Sequence, residues 1–123
     1  MVKKILVVDD EQEFIDIMRI RLTAEGYDVL EAHDGEEAIK VAEAKKPDVI
    51  LLDIMMPEKD GYTALREMKH LEKTKSIPVI VVTAKTGLKD LFALEGIKDY
   101  IVKPFETDDL LLRIKMVTER KNA

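Results

Sequence analysis

Two adjacent carboxylates, Asp9 and Asp10, follow the apolar run Ile5–Val8, and a third, Asp53, follows Val49–Leu52. Like charges held about 4 Å apart repel by roughly 4 kcal/mol at an effective dielectric of 20, so grouped acids require a positive partner. Hard oxygen donors select a hard cation, and a few carboxylates completed by water suit Mg2+ or Mn2+. Such a cation relieves the crowding and leaves one carboxylate able to react. A carboxylate can attack phosphorus and form an aspartyl phosphate, and Asp53 stands at the lip of a strand where it can do so. Charge on the incoming phosphoryl oxygens is then met by the metal and by Lys103, which act through electrostatic stabilisation. Thr83 offers a hydroxyl to one of those oxygens, and the amide of Ala84 beside it can donate as well. Taken singly, either early aspartate reads as a helix cap, Thr83 as a strand-end threonine and Lys103 as a surface lysine. Only their meeting makes a site.

That meeting depends on the elements that carry them. Strands are expected at Ile5–Val8, Tyr27–Ala32, Val49–Leu52, Ile77–Val82 and Tyr100–Val102. Three are nearly continuous aliphatic runs, as in parallel strands covered on both faces. Helical periodicity fills the intervals. The first helix spans about Glu11 to Glu25, with Phe14, Ile17, Met18 and Leu22 on one stripe, and stops at Gly26, a left-handed cap. The second runs from Gly35 to Lys45 with Ala38, Val41 and Ala42 facing inward. The third runs from Gly61 to about Thr74, with Tyr62, Leu65, Met68 and Leu71 spaced by three. A short fourth is expected over Leu88 to Glu95, and a fifth from Thr107, read as its N-cap. In the fifth, Leu110, Ile114 and Val117 form the core face, while Leu112 and Met116 lie elsewhere and suit a partner or dimer contact. Strand and helix alternate five times, and right-handed crossovers make this a doubly wound α/β sheet with helices on both faces. Ligands bind in such folds beyond the carboxyl ends of the strands. Asp9, Asp10, Asp53, Thr83 and Lys103 all fall there.

Composition narrows the function. The 123 residues suit one domain, residues 1–123, with no linker or repeat and no room for a second. A net charge of −5 argues against direct binding of nucleic acid, whose phosphates attract basic surfaces. No apolar run approaches a membrane span or a signal-peptide core, and a cytoplasmic location is expected. The absence of cysteine excludes disulfides and thiolate chemistry.

The chain resembles the receiver domain of two-component response regulators, of the stand-alone, chemotaxis-regulator-like kind. The likeness spans the whole chain and rests on VVDDE at 7–11, DIMMPEKDG at 53–61, VVTAK at 81–85 and DYIVKPF at 99–105. It implies a flavodoxin-like sheet of order 2-1-3-4-5 with five helices. Asp53 is then the phospho-acceptor, supplied by a sensor histidine kinase or a histidine phosphotransfer protein. By the same resemblance Asp10 and Asp53 bind Mg2+ directly, Asp9 mainly through water, and Met55 through its backbone carbonyl. Lys103 pairs with the acids beforehand and with the phosphoryl group afterwards, and Pro104 implies a cis Lys103–Pro104 bond. Pro57 and Gly61 fit the turn after the third strand. Thr83 and Tyr100 are the switch pair, moving on phosphorylation and altering the surface of the fourth helix, fifth strand and fifth helix. The message passes to a downstream protein, with the chain a monomer or a phosphorylation-dependent dimer.

Two departures follow. Thr83 and Lys103 are 20 positions apart, about two short of the usual family spacing, so a short, shifted or mobile fourth helix is expected, and with it an altered output face. Met55 and Lys85 take positions that flank the hydrolytic water in the family, and neither orients water well, so the phosphoryl group is expected to leave slowly. No small-molecule turnover is expected. A haloacid-dehalogenase-type hydrolase needs a second aspartate two positions after the nucleophile, where this chain has Met55. A flavin binder needs a phosphate cradle after the first strand, where DDEQE would repel phosphate. A degenerate receiver acting only as a scaffold is the nearer rival, and the intact acid, threonine and lysine set argues against it.

Overall fold

A computed structural model describes residues 2–54, 61–84, 97 and 99–121. In chain order its elements are β1 (Lys4–Val8), α1 (Gln12–Ala24), β2 (Asp28–Ala32), α2 (Gly35–Lys45), β3 (Val49–Leu52), α3 (Gly61–His70), β4 (Val79–Thr83), β5 (Tyr100–Val102) and a last helix, Thr107–Lys121. The strands form one parallel sheet in the order β2-β1-β3-β4-β5. Four helices lie among the described residues. The short helix expected over 88–95 falls outside them, as do Met55, Pro57 and Lys85. Among the described residues, no helix is long and apolar enough to cross a membrane.

Alternation along buried strands divides the aliphatic residues between two cores. Leu6, Val8, Ile50, Leu52, Val79 and Val81 face α2 and α3, meeting Ala38, Ile39, Ala42, Ala64, Leu65 and Met68. Ile5, Val7, Val49, Leu51, Ile80, Val82 and Ile101 face α1 and the last helix, meeting Ile15, Met18, Leu22, Leu110, Ile114 and Val117. Burial on both sides is why these strands read as unbroken apolar runs.

Several boundaries move for local reasons. β4 begins at Val79 instead of Ile77: Ile77 donates its amide to Thr74 in a turn, and Pro78 has no amide to give a ladder. α3 ends at His70 because the chain turns there, with the Thr74 hydroxyl donating to the Met68 carbonyl at 2.6 Å. Gly26 takes the expected left-handed conformation, with φ of 90°. α1 buries Ile15, Met18 and Leu22, while Ile17 is 47% and Ile20 70% exposed, so the expected placement of Ile17 on the core stripe is corrected. In α2 the third inward position is Ile39, with Val41 only partly buried. α2 is capped by Asp34, whose side chain accepts the Glu37 amide at 2.8 Å. Thr107 is the first residue of the last helix, and the preceding Glu106 carbonyl accepts the amides of Asp109 and Leu110, so Glu106 takes the capping place expected of Thr107. Leu112 and Met116 are 56% and 50% exposed on that helix, away from its buried face.

Candidate phosphorylation site at the strand ends

The register carries the acids to one edge. Val8 pairs with Ala32 on one side and Leu52 on the other, Leu52 with Val81, and Thr83 with Val102. The ladder continues one residue beyond β1, β3 and β5. The Asp9 amide donates to Ala32 at 3.1 Å, the Asp53 amide to Val8 at 3.1 Å and the Lys103 amide to Thr83 at 2.9 Å. Asp9, Asp53 and Lys103 are thus held by backbone bonds at adjacent strand ends. Each also continues the alternation of the side-chain set facing α1, after Val7, Leu51 and Ile101.

One carboxylate oxygen from each of Asp9, Asp10 and Asp53 lies within 4.8 Å of the others, with Asp9 and Asp53 buried and Asp10 exposed. Into this group reaches Lys103, its Nζ donating to Asp9 Oδ2 at 2.7 Å and to Asp53 Oδ2 at 3.4 Å. Burial by itself would lower the Lys103 pKa. The hydrogen bond and charge of Asp9, then those of Asp53, outweigh it, and the pKa is raised above its usual 10.5. Asp9 does not cap α1. Its Oδ1 accepts the Glu11 amide at 2.9 Å, and the capping residue, Glu11, makes no side-chain cap bond. The plain reading of Asp9 as a helix cap is thereby set aside. A set of three carboxylates open to solvent at Asp10 fits a hard divalent cation, which takes oxygen ligands and keeps several waters.

Thr83 is buried at the end of β4, and Ala84, next to it, is exposed. The Lys103–Pro104 peptide is cis, as the family resemblance implied. Tyr100 is half-buried against the core formed with α2 and α3. Its carbonyl accepts from Arg113 Nη1 at 3.2 Å, and Arg113 also pairs with Asp99 and, at 3.1 Å, with Asp109. Thr83, at the carboxyl end of β4, and Tyr100, at the start of β5, thus stand on neighbouring strands, and the last helix is tied to β5 through Arg113. The Met55 carbonyl, expected as a ligand, lies outside the described residues.

Three residues have closer dealings with the crevice than the sequence reading assigned. Phe14 places its ring 4.0 Å below the Lys103 ammonium, and Phe105 meets that ring edge-on at 6.3 Å and 79°. The available signal was an aromatic in the first turn after the acid pair and another two residues after Lys103. Gly61 is the third. A Cβ there would stand 3.0 Å from the Asp53 carbonyl carbon and closer still to the Asp53 oxygen and Ile54 Cα. Its amide donates to the Ile54 carbonyl at 3.2 Å. Gly61→Ala is expected to destabilise the protein by about 3 kcal/mol, because backbone must yield to the added methyl. Urea unfolding should show this as a lower midpoint at unchanged slope.

A parallel sheet with an acid cluster and a lysine at its carboxyl edge is the arrangement this chain shares with a family of signalling modules. The chain belongs to the response regulator receiver domain family, whose pattern it matches over residues 5–115. It is similar to a CheY-like receiver domain protein from Methanospirillum hungatei, at 31% identity and a TM-score of 0.91 over 99% of this chain and 98% of that one. It is similar too to the chemotaxis protein CheY4 of Vibrio cholerae, at 29% identity and a TM-score of 0.88 over 95% and 99%. A third similar structure is the receiver domain of a sensor histidine kinase from Pseudomonas aeruginosa, with 30% identity and a TM-score of 0.87 over 97% and 99%. That structure holds a magnesium ion coordinated in its active-site cleft.

Proposed function

We propose that residues 1–123 act as a single phosphorylation switch in which Asp53 accepts a phosphoryl group from a phosphohistidine of a sensor histidine kinase or phosphotransfer protein. The observation that carries this reading is the Lys103 ammonium set between Asp9 and Asp53 at 2.7 and 3.4 Å. In the transfer, an Asp53 oxygen forms a P–O bond as the P–N bond to imidazole breaks, and the departing imidazole nitrogen takes up a proton. Lys103, already beside Asp53, pairs with a phosphoryl oxygen as the charge moves there. The Thr83 hydroxyl and the Ala84 amide donate to another phosphoryl oxygen. Asp9, Asp10 and Asp53 would hold Mg2+, with Mn2+ able to substitute, and the Met55 carbonyl is the fourth donor proposed from the resemblance. When bound, the ion supplies positive charge that offsets the crowding of carboxylate and phosphoryl oxygens. The presence of magnesium in the Pseudomonas neighbour supports that assignment.

Phosphorylation draws Thr83 toward the new anion, and Tyr100 turns into the space it leaves. The surface around β5 and the last helix changes with them, and a downstream protein or a second copy reads that change. The test is chemical. Incubation with acetyl phosphate and Mg2+, then borohydride reduction of the acyl phosphate, is expected to convert residue 53 to homoserine in peptide mass analysis. Recovery of unmodified Asp53, or of the modification elsewhere, defeats the reading. The phosphorylated protein is expected to decay more slowly than a Met55→Asn variant, followed by the loss of phosphate mass with time. Equal or faster decay of the wild type would reject the part given to Met55.

A further inference from the structure

The two acids hold Lys103 from one side, and the aromatic face of Phe14 holds it from another. The ammonium lies 4.0 Å from the Phe14 centroid, well inside the range of about 6 Å over which a cation is drawn to a ring face. Phe14 is itself braced. Its ring packs against the core between the sheet, α1 and the last helix, and Phe105 abuts it edge-on. Because Phe105 follows Lys103 by two residues, the segment that carries the ammonium also fixes the ring beneath it.

A lysine side chain is a point charge on a flexible stem, with three donors and no fixed plane. Where a divalent cation engages Asp9 and Asp53, much of their attraction for the ammonium is spent on the metal. A ring face is not a metal ligand, and its pull on the ammonium persists. We propose that Phe14 is a positioning residue for phosphoryl capture, keeping the Lys103 ammonium over Asp53 while the acids are engaged so that it meets the incoming group without first being ordered. This rests on the reading of Asp53 as acceptor.

Wild type, Phe14→Leu and Phe14→Tyr separate ring from bulk. Two measurements are made on each. One is the upfield ring-current shift of the Lys103 ε-methylene protons, read by NMR without metal or donor. The other is the initial rate of phosphate uptake from acetyl phosphate with Mg2+. The shift is expected in wild type and Phe14→Tyr and lost in Phe14→Leu. The rate is expected to fall about fivefold in Phe14→Leu and to stay within about twofold of wild type in Phe14→Tyr. Should Phe14→Leu unfold, site-specific pentafluorophenylalanine keeps the shape while reversing the ring-face potential, and is expected to slow uptake in the same way. An unshifted ε-methylene in wild type, or uptake by Phe14→Leu or the fluorinated ring at the wild-type rate, overturns the proposal. A wild type that takes up no phosphate overturns the reading of Asp53, and the positioning role with it.

Discussion

Asp53→Asn is expected to abolish phosphate uptake altogether while leaving the fold intact. The substitution keeps the side chain's shape and removes its nucleophilic charge, since an amide oxygen is a poor nucleophile toward phosphorus. Among the described residues, no neighbouring acid is placed to replace it. Asp9 is buried, with one oxygen accepting the Glu11 amide and the other the Lys103 ammonium, and Asp10 is exposed at the crevice's rim. Stability should move the other way. Among the described residues three carboxylates meet the one ammonium of Lys103, and removing a charge from that group is expected to stabilise the metal-free protein at neutral pH by about 1 kcal/mol. Mass analysis after acetyl phosphate treatment and urea unfolding of the same preparations check both halves. Uptake at the wild-type rate in Asp53→Asn would remove the acceptor from its post.

Lys103→Met carries the second large effect, and its components have opposite signs. The stem and its packing are retained, while the charge that faces buried Asp9 and Asp53 is lost. Removing one partner of a buried pair strands the other, so the metal-free protein is expected to lose about 3 kcal/mol. Affinity for Mg2+ should rise about tenfold, because the cation no longer competes with an ammonium for the acids. Phosphate uptake should nevertheless fall on the order of a hundredfold, since a donor aimed at developing charge is missing. Tighter metal with slower chemistry separates this explanation from simple damage to the metal site, which would weaken both. The pH dependence has a definite sign as well. Lys103 has its folded-state pKa raised above 10.5, so its stabilising contribution is fully present below that value and disappears as pH rises through the folded-state pKa. Wild type should therefore lose stability relative to Lys103→Met in strongly alkaline solution, and the gap between them should be constant from neutral pH to about pH 9.

The clamp between β5 and the last helix bears on how a change at the crevice travels. Arg113 reaches Asp99, Asp109 and the Tyr100 carbonyl together, so the backbone of Tyr100, proposed as half of the switch, is tied to a helix that shows Leu112 and Met116 to solvent. Movement of the Tyr100 side chain can leave that tie in place. On the proposed switch, the output is then expected to be a change of side-chain surface beside a fixed helix.

Much of the architecture was legible because burial on both faces of a parallel sheet produces aliphatic runs that nothing else in the chain imitates. β1 and β3 were read with nearly their final bounds from those runs, and the acids at their ends followed, as did the threonine that closes β4 and the lysine after β5. Helix faces were harder. Period-based assignment put Ile17 inward, whereas α1 is rotated so that Ile15 takes the core place and Phe14 turns toward Lys103. A helix's own periodicity leaves such a rotation open, because neighbouring stripes on one helix differ by a single residue.

The types and order of the reacting groups belong to the chain itself. Local sequence also set the stop at Gly26, the start of α2 and the identity of the sheet strands. Distances were decided only by tertiary register. The ladder bonds beyond β1, β3 and β5 bring groups as far apart in sequence as Asp9 and Lys103 to within 2.7 Å, and close packing of α3 on the Asp53 backbone leaves Gly61 no space for a side chain. The physical reason is that propensity and hydrophobic period act within a few residues. Electrostatic pairing and steric exclusion act through space, between segments the chain must first fold together.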